Sequence, residues 1–161
     1  MALIIEDGSE VANANSYVTD VEYTAYATLK GLTVGANATK REVELLRAMD
    51  YIQGFENSLK GTRAASTQEL SYPRYDVSLY GFLLASDKIP KELKNTQFEA
   101  AAYAHTGTLI PNEAIKNVSK EKLGDMEIEY FKGGQSSRVI VKRALVYLQP
   151  LLTSGDVLVR T

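Results

Sequence analysis

One histidine, His105, and no cysteine limit what this chain can do with a metal or a nucleophile. Thiolate ligands and disulfides are excluded, and an imidazole site for a transition metal needs partners the sequence lacks. A serine nucleophile would have to use His105, and no serine stands in a recognisable nucleophile elbow. His105 falls in the last turn of a helical pattern, where its ring suits the carbonyl end, so it reads as a cap. The run Glu6-Asp7-Gly8-Ser9-Glu10 is rich in oxygen ligands but lacks the alternation and distal glutamate of a calcium loop. It reads as a solvated turn. Lys132-Gly133-Gly134-Gln135-Ser136-Ser137 precedes a helix but lacks the lysine order of a phosphate loop, and reads as a turn and N-cap. The acid pairs Glu42/Glu44 and Glu127/Glu129 read as helix surface and strand face. The chain is therefore expected to be no enzyme and to hold no cofactor or metal.

Two basic groups are the remaining candidates for chemistry. Lys88, Lys91 and Lys94 mark the start of one helical pattern, and Arg138, Lys142 and Arg143 mark another. With tyrosines nearby, the second group offers weak candidate contacts to single-stranded nucleic acid, through stacking and phosphate tracking. The overall balance opposes that reading: 18 basic and 20 acidic side chains leave a net charge of −2, whereas phosphate grip calls for a positive excess.

Four helical patterns must position these residues. Thr19-Asp20-Val21-Glu22 is a capping box, followed by Val18, Val21, Ala25 and Leu29 as the apolar stripe and Gly31 as the stop. Thr39-Lys40-Arg41-Glu42 reads as a second box, opening a helix that buries Leu45, Ala48, Met49, Ile52 and Phe55, widened by Val43 and Leu46. Pro90 suits the first turn of a third helix whose inner face is Leu93, Gln97, Ala100, Ala101 and Ala104, ending at Gly107. Small residues at 100–102 let a neighbouring backbone approach closely. A last helix is expected from about Ser137 to Gln149, with Val141, Ala144, Leu145 and Leu148 inward and Pro150 as its stop.

Two stretches break the helical period. Residues 60–89 are punctuated by Gly, Ser and Pro and hold Tyr72, Tyr75, Tyr80 and Phe82. A connection of that length is expected to be pinned by its aromatics or by another chain. Tyr72, Pro73, Arg74 and Tyr75 are candidate contact residues there, because Tyr and Arg offer apolar area with a polar tip. The second stretch, about 117–132, alternates polar and apolar residues with a period of two. A turn at Gly124-Asp125 pairs Leu123 with Met126, Lys122 with Glu127, Glu121 with Ile128 and Lys120 with Glu129. Lys120, Lys122, Glu127 and Glu129 then share a self-paired polar face, while Leu123, Met126, Ile128 and Tyr130 share an apolar one. An isolated two-stranded hairpin is marginal in water, so its apolar face requires cover, from the chain's own helices or from a neighbour. Gly133-Gly134 supplies a hinge. The tail GDVLVRT fits a short strand or a frayed end equally.

At 161 residues the chain is one domain's worth, and 45% apolar content is enough for a core. No window reaches the ~20 apolar residues of a membrane span, and Leu3, Ile4 and Ile5 fall short of a signal core. Work in the cytosol, or in something assembled there, is expected. The expected fold is mainly α: about four helices as a small bundle, with a long aromatic loop and one projecting β-hairpin, in a single domain over 1–161.

The order of pieces resembles the head-to-tail connector, or adaptor, proteins of tailed bacteriophages, some of which carry the label DnaT-like single-stranded DNA-binding. The matching pieces are IIEDGSEVANANSYVT, LLRAMDYI, SYPR, IPKELKNTQFEAAAYA, KEKLGDMEIEY and ALVYLQPLL, together spanning almost the whole chain. Where the family motif is Trp-Pro-Arg, this chain has Tyr72 before Pro73 and Arg74. The resemblance implies a helical subunit that assembles as a homo-oligomeric ring, commonly dodecameric, beneath the portal protein. Such a ring extends the channel for genomic DNA, without specific recognition, and docks later neck or tail proteins. It implies a place in the virion neck, after assembly in the host cytoplasm and away from any membrane. The alternative is a single-stranded DNA-binding accessory of replication.

Overall fold

The computed structural model describes residues 2–110, 120–123, 126–129 and 139–153. Four α-helices make the chain mainly α: α1 (Asp20–Lys30), α2 (Ala38–Gln53), α3 (Lys91–Thr106) and α4 (Lys142–Leu148). Among the described residues there are also three two-stranded antiparallel ladders. They pair β1 (Thr62–Arg63) with β2 (Arg74–Tyr75), β3 (Ser78–Leu79) with β4 (Phe82–Leu83), and β5 (Lys120–Leu123) with β6 (Met126–Glu129).

The cap of α1 forms as expected. Thr19 Oγ1 accepts from the Glu22 amide at 3.1 Å, and Glu22 Oε2 accepts from the Thr19 amide at 2.7 Å. Its buried face is a different one. Val18 is buried, but Val21 and Leu29 are 77% and 85% exposed and Ala25 is exposed too. Tyr23 and Ala27 go inward instead, with Tyr26 half-buried. The tyrosines win because each brings more apolar area and has a buried acceptor for its hydroxyl. Tyr23 Oη donates to Glu44 at 3.0 Å and Tyr26 Oη to Glu99 at 2.8 Å, while both rings stack on Phe98.

Helix α2 begins two residues before the expected box. Asn37 is the N-cap, its Oδ1 accepting from the Lys40 amide at 2.9 Å, so Thr39 lies inside the first turn. Leu45, Ala48, Met49 and Ile52 are buried as the spacing predicts, joined by Tyr51 and Glu44. Helix α3 follows Pro90 as its N-cap and buries Leu93, Gln97, Ala100, Ala101 and Ala104, together with Thr96, Phe98 and Glu99. It packs on both α2 and α4 and touches α1. The small side chains at 100, 101 and 104 permit that double contact.

Gln97 ties three parts of the chain together. Its Oε1 accepts from the Tyr17 amide at 3.0 Å, and its Nε2 donates to Ser16 Oγ at 2.8 Å and to the Leu45 carbonyl at 3.3 Å. A buried amide with every partner supplied fixes the arrangement, because any slip would strand polar groups away from water.

Helix α4 is shorter than the pattern predicts. It begins at Lys142, after an extended Val141, and Pro150 does not stop it but sits inside a 3-10 turn, Gln149–Leu151. Proline is tolerated there because a first-turn amide has no intrahelical partner to lose. Leu151 and Leu152 are buried and close on the segment that follows the 3-10 turn Glu56–Ser58: Lys60 N–H donates to the Leu151 carbonyl at 2.9 Å, and Thr153 N–H to the Ser58 carbonyl at 2.8 Å. The tail GDVLVRT lies outside the described residues, as do Lys132–Ser137.

Candidate interaction surface

The 60–89 connection is pinned by its own side chains. Tyr72 is fully buried and joined to Pro73 by a cis peptide, and its amide donates to Tyr17 Oη at 3.0 Å. Arg74, 6% exposed, spends its guanidinium on backbone carbonyls: Nε on Lys60 and Nη2 on Gly61, both at 2.8 Å, and Nη1 on Ser71 at 3.2 Å. Glu56 is hydrogen-bonded to Arg63 through both carboxylate oxygens and lies 3.9 Å from Arg74. Tyr72, Pro73 and Arg74 are therefore corrected from contact residues to core residues. Their polar groups find partners within the chain, apart from the Tyr72 hydroxyl, which is buried without one among the described residues. Burial pushes that hydroxyl up to about 12. Tyr75 alone of the four stays on the surface.

The outer half of the same connection is the reverse. Tyr80 and Gly81 both have positive φ, 54° and 85°, the pairing that a tight hairpin turn between twisted strands requires. Glycine takes this conformation without penalty; tyrosine bears some strain there. The turn places Tyr80, Phe82 and Leu83 at 70%, 78% and 75% exposure above a buried Val77. Three large apolar side chains on one small tip form an exposed cluster of the kind that marks contact surfaces. Tyr80 and Phe82 are visible as aromatics in the sequence, but their exposure is not.

The β5–β6 ladder agrees with the expected register pair for pair: Lys120 with Glu129, Glu121 with Ile128, Lys122 with Glu127 and Leu123 with Met126. The turn at Gly124-Asp125 and Tyr130 lie outside the described residues.

Among the described residues the basic side chains do not gather into a track. Lys88 lies 3.8 Å from Asp87 and Lys94 3.6 Å from Glu22. Arg143 Nε is 3.1 Å from the buried Glu99 carboxylate, Lys142 is exposed beside it, and Arg138 lies outside the described residues. Arg41 forks onto Asp20 at 2.6 and 2.8 Å. Most of these cations already face an acid of the same chain.

Three acids prove to be internal. Glu44 is buried, not helix surface; it accepts from Tyr23 and from the Gly35 amide at 3.2 Å and sits 2.7 Å from His105 Nδ1. His105 is thus a partner to a buried carboxylate instead of a helix cap. Glu99 takes Tyr26 and Arg143. Glu6, 1% exposed, accepts from the amides of Gly8, Glu10 and Val11 at 2.8, 3.1 and 2.9 Å, so the expected solvated turn is organised around one buried acid. Gly8 is required in it: a Cβ there would lie 1.9 Å from the Asp87 carbonyl oxygen, at φ +110°. Distant partners explain why sequence reading missed Glu44 and Glu99. Only the glycine two residues after Glu6 offered a local hint.

Among the described residues no group of three or more His, Cys, Asp or Glu could hold a metal ion, and no helix is long and apolar enough to cross a membrane. Fold and surfaces together define a small, mainly α protein that carries an exposed apolar tip. The chain belongs to the family described as "Putative DnaT-like ssDNA binding protein", whose model matches residues 1–161. No curated protein and no solved structure matches it.

Proposed function

We propose that this chain is a structural subunit of a tailed-phage neck, a ring-forming adaptor beneath the portal that extends the DNA channel and docks the next neck or tail protein. The observation that carries the reading is the exposed tip of Tyr80, Phe82 and Leu83, which a lone molecule leaves in water. The small helical bundle is the body, and β5–β6 is a projecting arm whose apolar face meets a neighbouring subunit. The acid-partnered cations and the net charge of −2 fit a channel wall along which DNA slides without being gripped. The role is architectural and involves no catalytic step.

Electron microscopy of the purified chain mixed with portal protein tests this. Rings seated on the portal are expected, and a chain that stays monomeric with portal present overturns the reading. Ile128→Asp should leave helical content unchanged and abolish those rings; collapse of the isolated monomer would instead assign the β6 face to the chain's own core.

The family's description favours a second reading, a single-stranded DNA-binding accessory of replication. It requires oligonucleotide binding that falls steeply with salt and weakens when Lys142 and Arg143 are replaced. Anisotropy of a labelled thymidine oligonucleotide across a salt series decides it. Absence of binding at low ionic strength removes this reading.

A further inference from the structure

The geometry points to an acid-recognising groove between α2 and the end of α3, centred on Arg47, that takes an acidic segment of a partner protein. A concavity of about 360 Å³ opens between these helices, lined by Lys40, Val43, Arg47 and His105 among others. A second, of about 260 Å³, shares Arg47 and continues past Gly107 to Leu109 and Ile110. Arg47 lies where the two join.

Arg47 stands apart from the other described arginines. Arg41, Arg63 and Arg143 each hold a carboxylate, and Arg74 holds three carbonyls. Arg47, exposed in the groove, has no hydrogen bond or ion pair among the described residues, and neither has the Lys40 ammonium. The one acid in the first concavity, Glu44, has its oxygens taken by Tyr23, Gly35 and His105, so it makes no direct ion pair with either cation. Lys40 and Arg47 are two helical turns apart, about 10 Å along the axis, a spacing that successive carboxylates of an extended chain can bridge.

The apolar members decide between an acidic peptide and a nucleic acid. Val43 and Ile110 are 40% and 47% exposed, and Asp50, one turn from Arg47, lines the second concavity. Asp50 opposes phosphate and carboxylate alike, but a phosphate chain would leave the apolar walls uncovered and find no aromatic surface for its bases in the groove. A peptide that alternates acidic and aliphatic residues would match both kinds of wall, its carboxylates forked by the guanidinium and its aliphatic side chains on Val43 and Ile110.

The test uses the full chain, isotope-labelled, titrated at low ionic strength with the probe peptide acetyl-Glu-Leu-Glu-Leu-Glu-amide and followed by amide shifts. Shifts confined to α2 and residues 104–110 are expected, and Arg47→Gln should weaken binding roughly fivefold. Arg47→Lys should recover part of the loss, since charge remains and only the planar fork is gone. Equal affinity of Arg47→Gln, or equal affinity for the matching glutamine–leucine peptide, overturns the proposal. So does a thymidine oligonucleotide that binds through Arg47 more tightly than the peptide. The proposal goes beyond the neck assignment: peptide binding is read on the isolated chain, and ring formation on the portal mixture.

Discussion

Tyr72 and Phe82 lie in one connection and have opposite surroundings. Tyr72 is sealed under the helices, with its amide on Tyr17, while Phe82 stands 78% exposed at a hairpin tip. Aromatic content alone therefore does not locate a contact surface. What separates the two ends is backbone satisfaction. Around Tyr72 the carbonyls of Lys60, Gly61 and Ser71 all need donors, and Arg74 folds the strand inward to supply them. At Tyr80–Gly81 the turn closes on itself and asks nothing of the core.

That contrast can be broken by substitution. Tyr72→Ala should destabilise the monomer by about 3–5 kcal/mol, the cost of emptying a large buried aromatic site, read as a fall in denaturation midpoint. Tyr72→Phe should have the opposite sign. The hydroxyl is buried without a partner among the described residues, so removing it should raise stability by about 1 kcal/mol in the same measurement.

Acid sharpens the comparison further. Arg63, hydrogen-bonded to Glu56, holds that carboxyl below the usual range. A group with a lowered folded pKa contributes stability above its unfolded value, near ~4.3, and loses it as pH falls through the folded value. Thermal stability should therefore drop as pH is lowered past ~4, and Glu56→Gln should remove part of that slope, about 1 kcal/mol or less because the pair is partly solvated. The smallest effect on the monomer belongs to the tip. Phe82→Ser should change monomer stability by under about 0.5 kcal/mol. Its consequence should appear only in assembly, as fewer rings on the portal by microscopy.

Local chemistry was the legible part of the sequence. The Thr19–Glu22 box and the β5–β6 register depend on residues within a few positions of each other, and both form as read. The face of α1 was misread because its sequence carries two apolar stripes, and the choice between them rests on Glu44 and Glu99, far along the chain. The starts of α2 and α4 shifted for related reasons: Asn37 out-competes Thr39 as a cap, and Val141 is held extended with its amide toward Tyr51 Oη at 3.4 Å. Of the four loop residues read as contacts, three are buried and only Tyr75 faces water, because the chain's own carbonyls draw Arg74 inward. The Arg47 groove left no trace in sequence, since an unpaired arginine is visible only once the others have found their acids.

The clasp between Ser58–Lys60 and Leu151–Thr153 bears on biosynthesis. Residues far apart in the sequence meet there, so a growing chain on the ribosome cannot pair Leu59 with Leu152 until α4 and the turn after it have emerged. Translation arrested before Leu148 should yield a nascent chain whose 58–60 backbone is still open to proteases, and release past Thr153 should seal it. Closure of the 58–60 segment is in that sense tied to the synthesis of residues more than ninety positions further along.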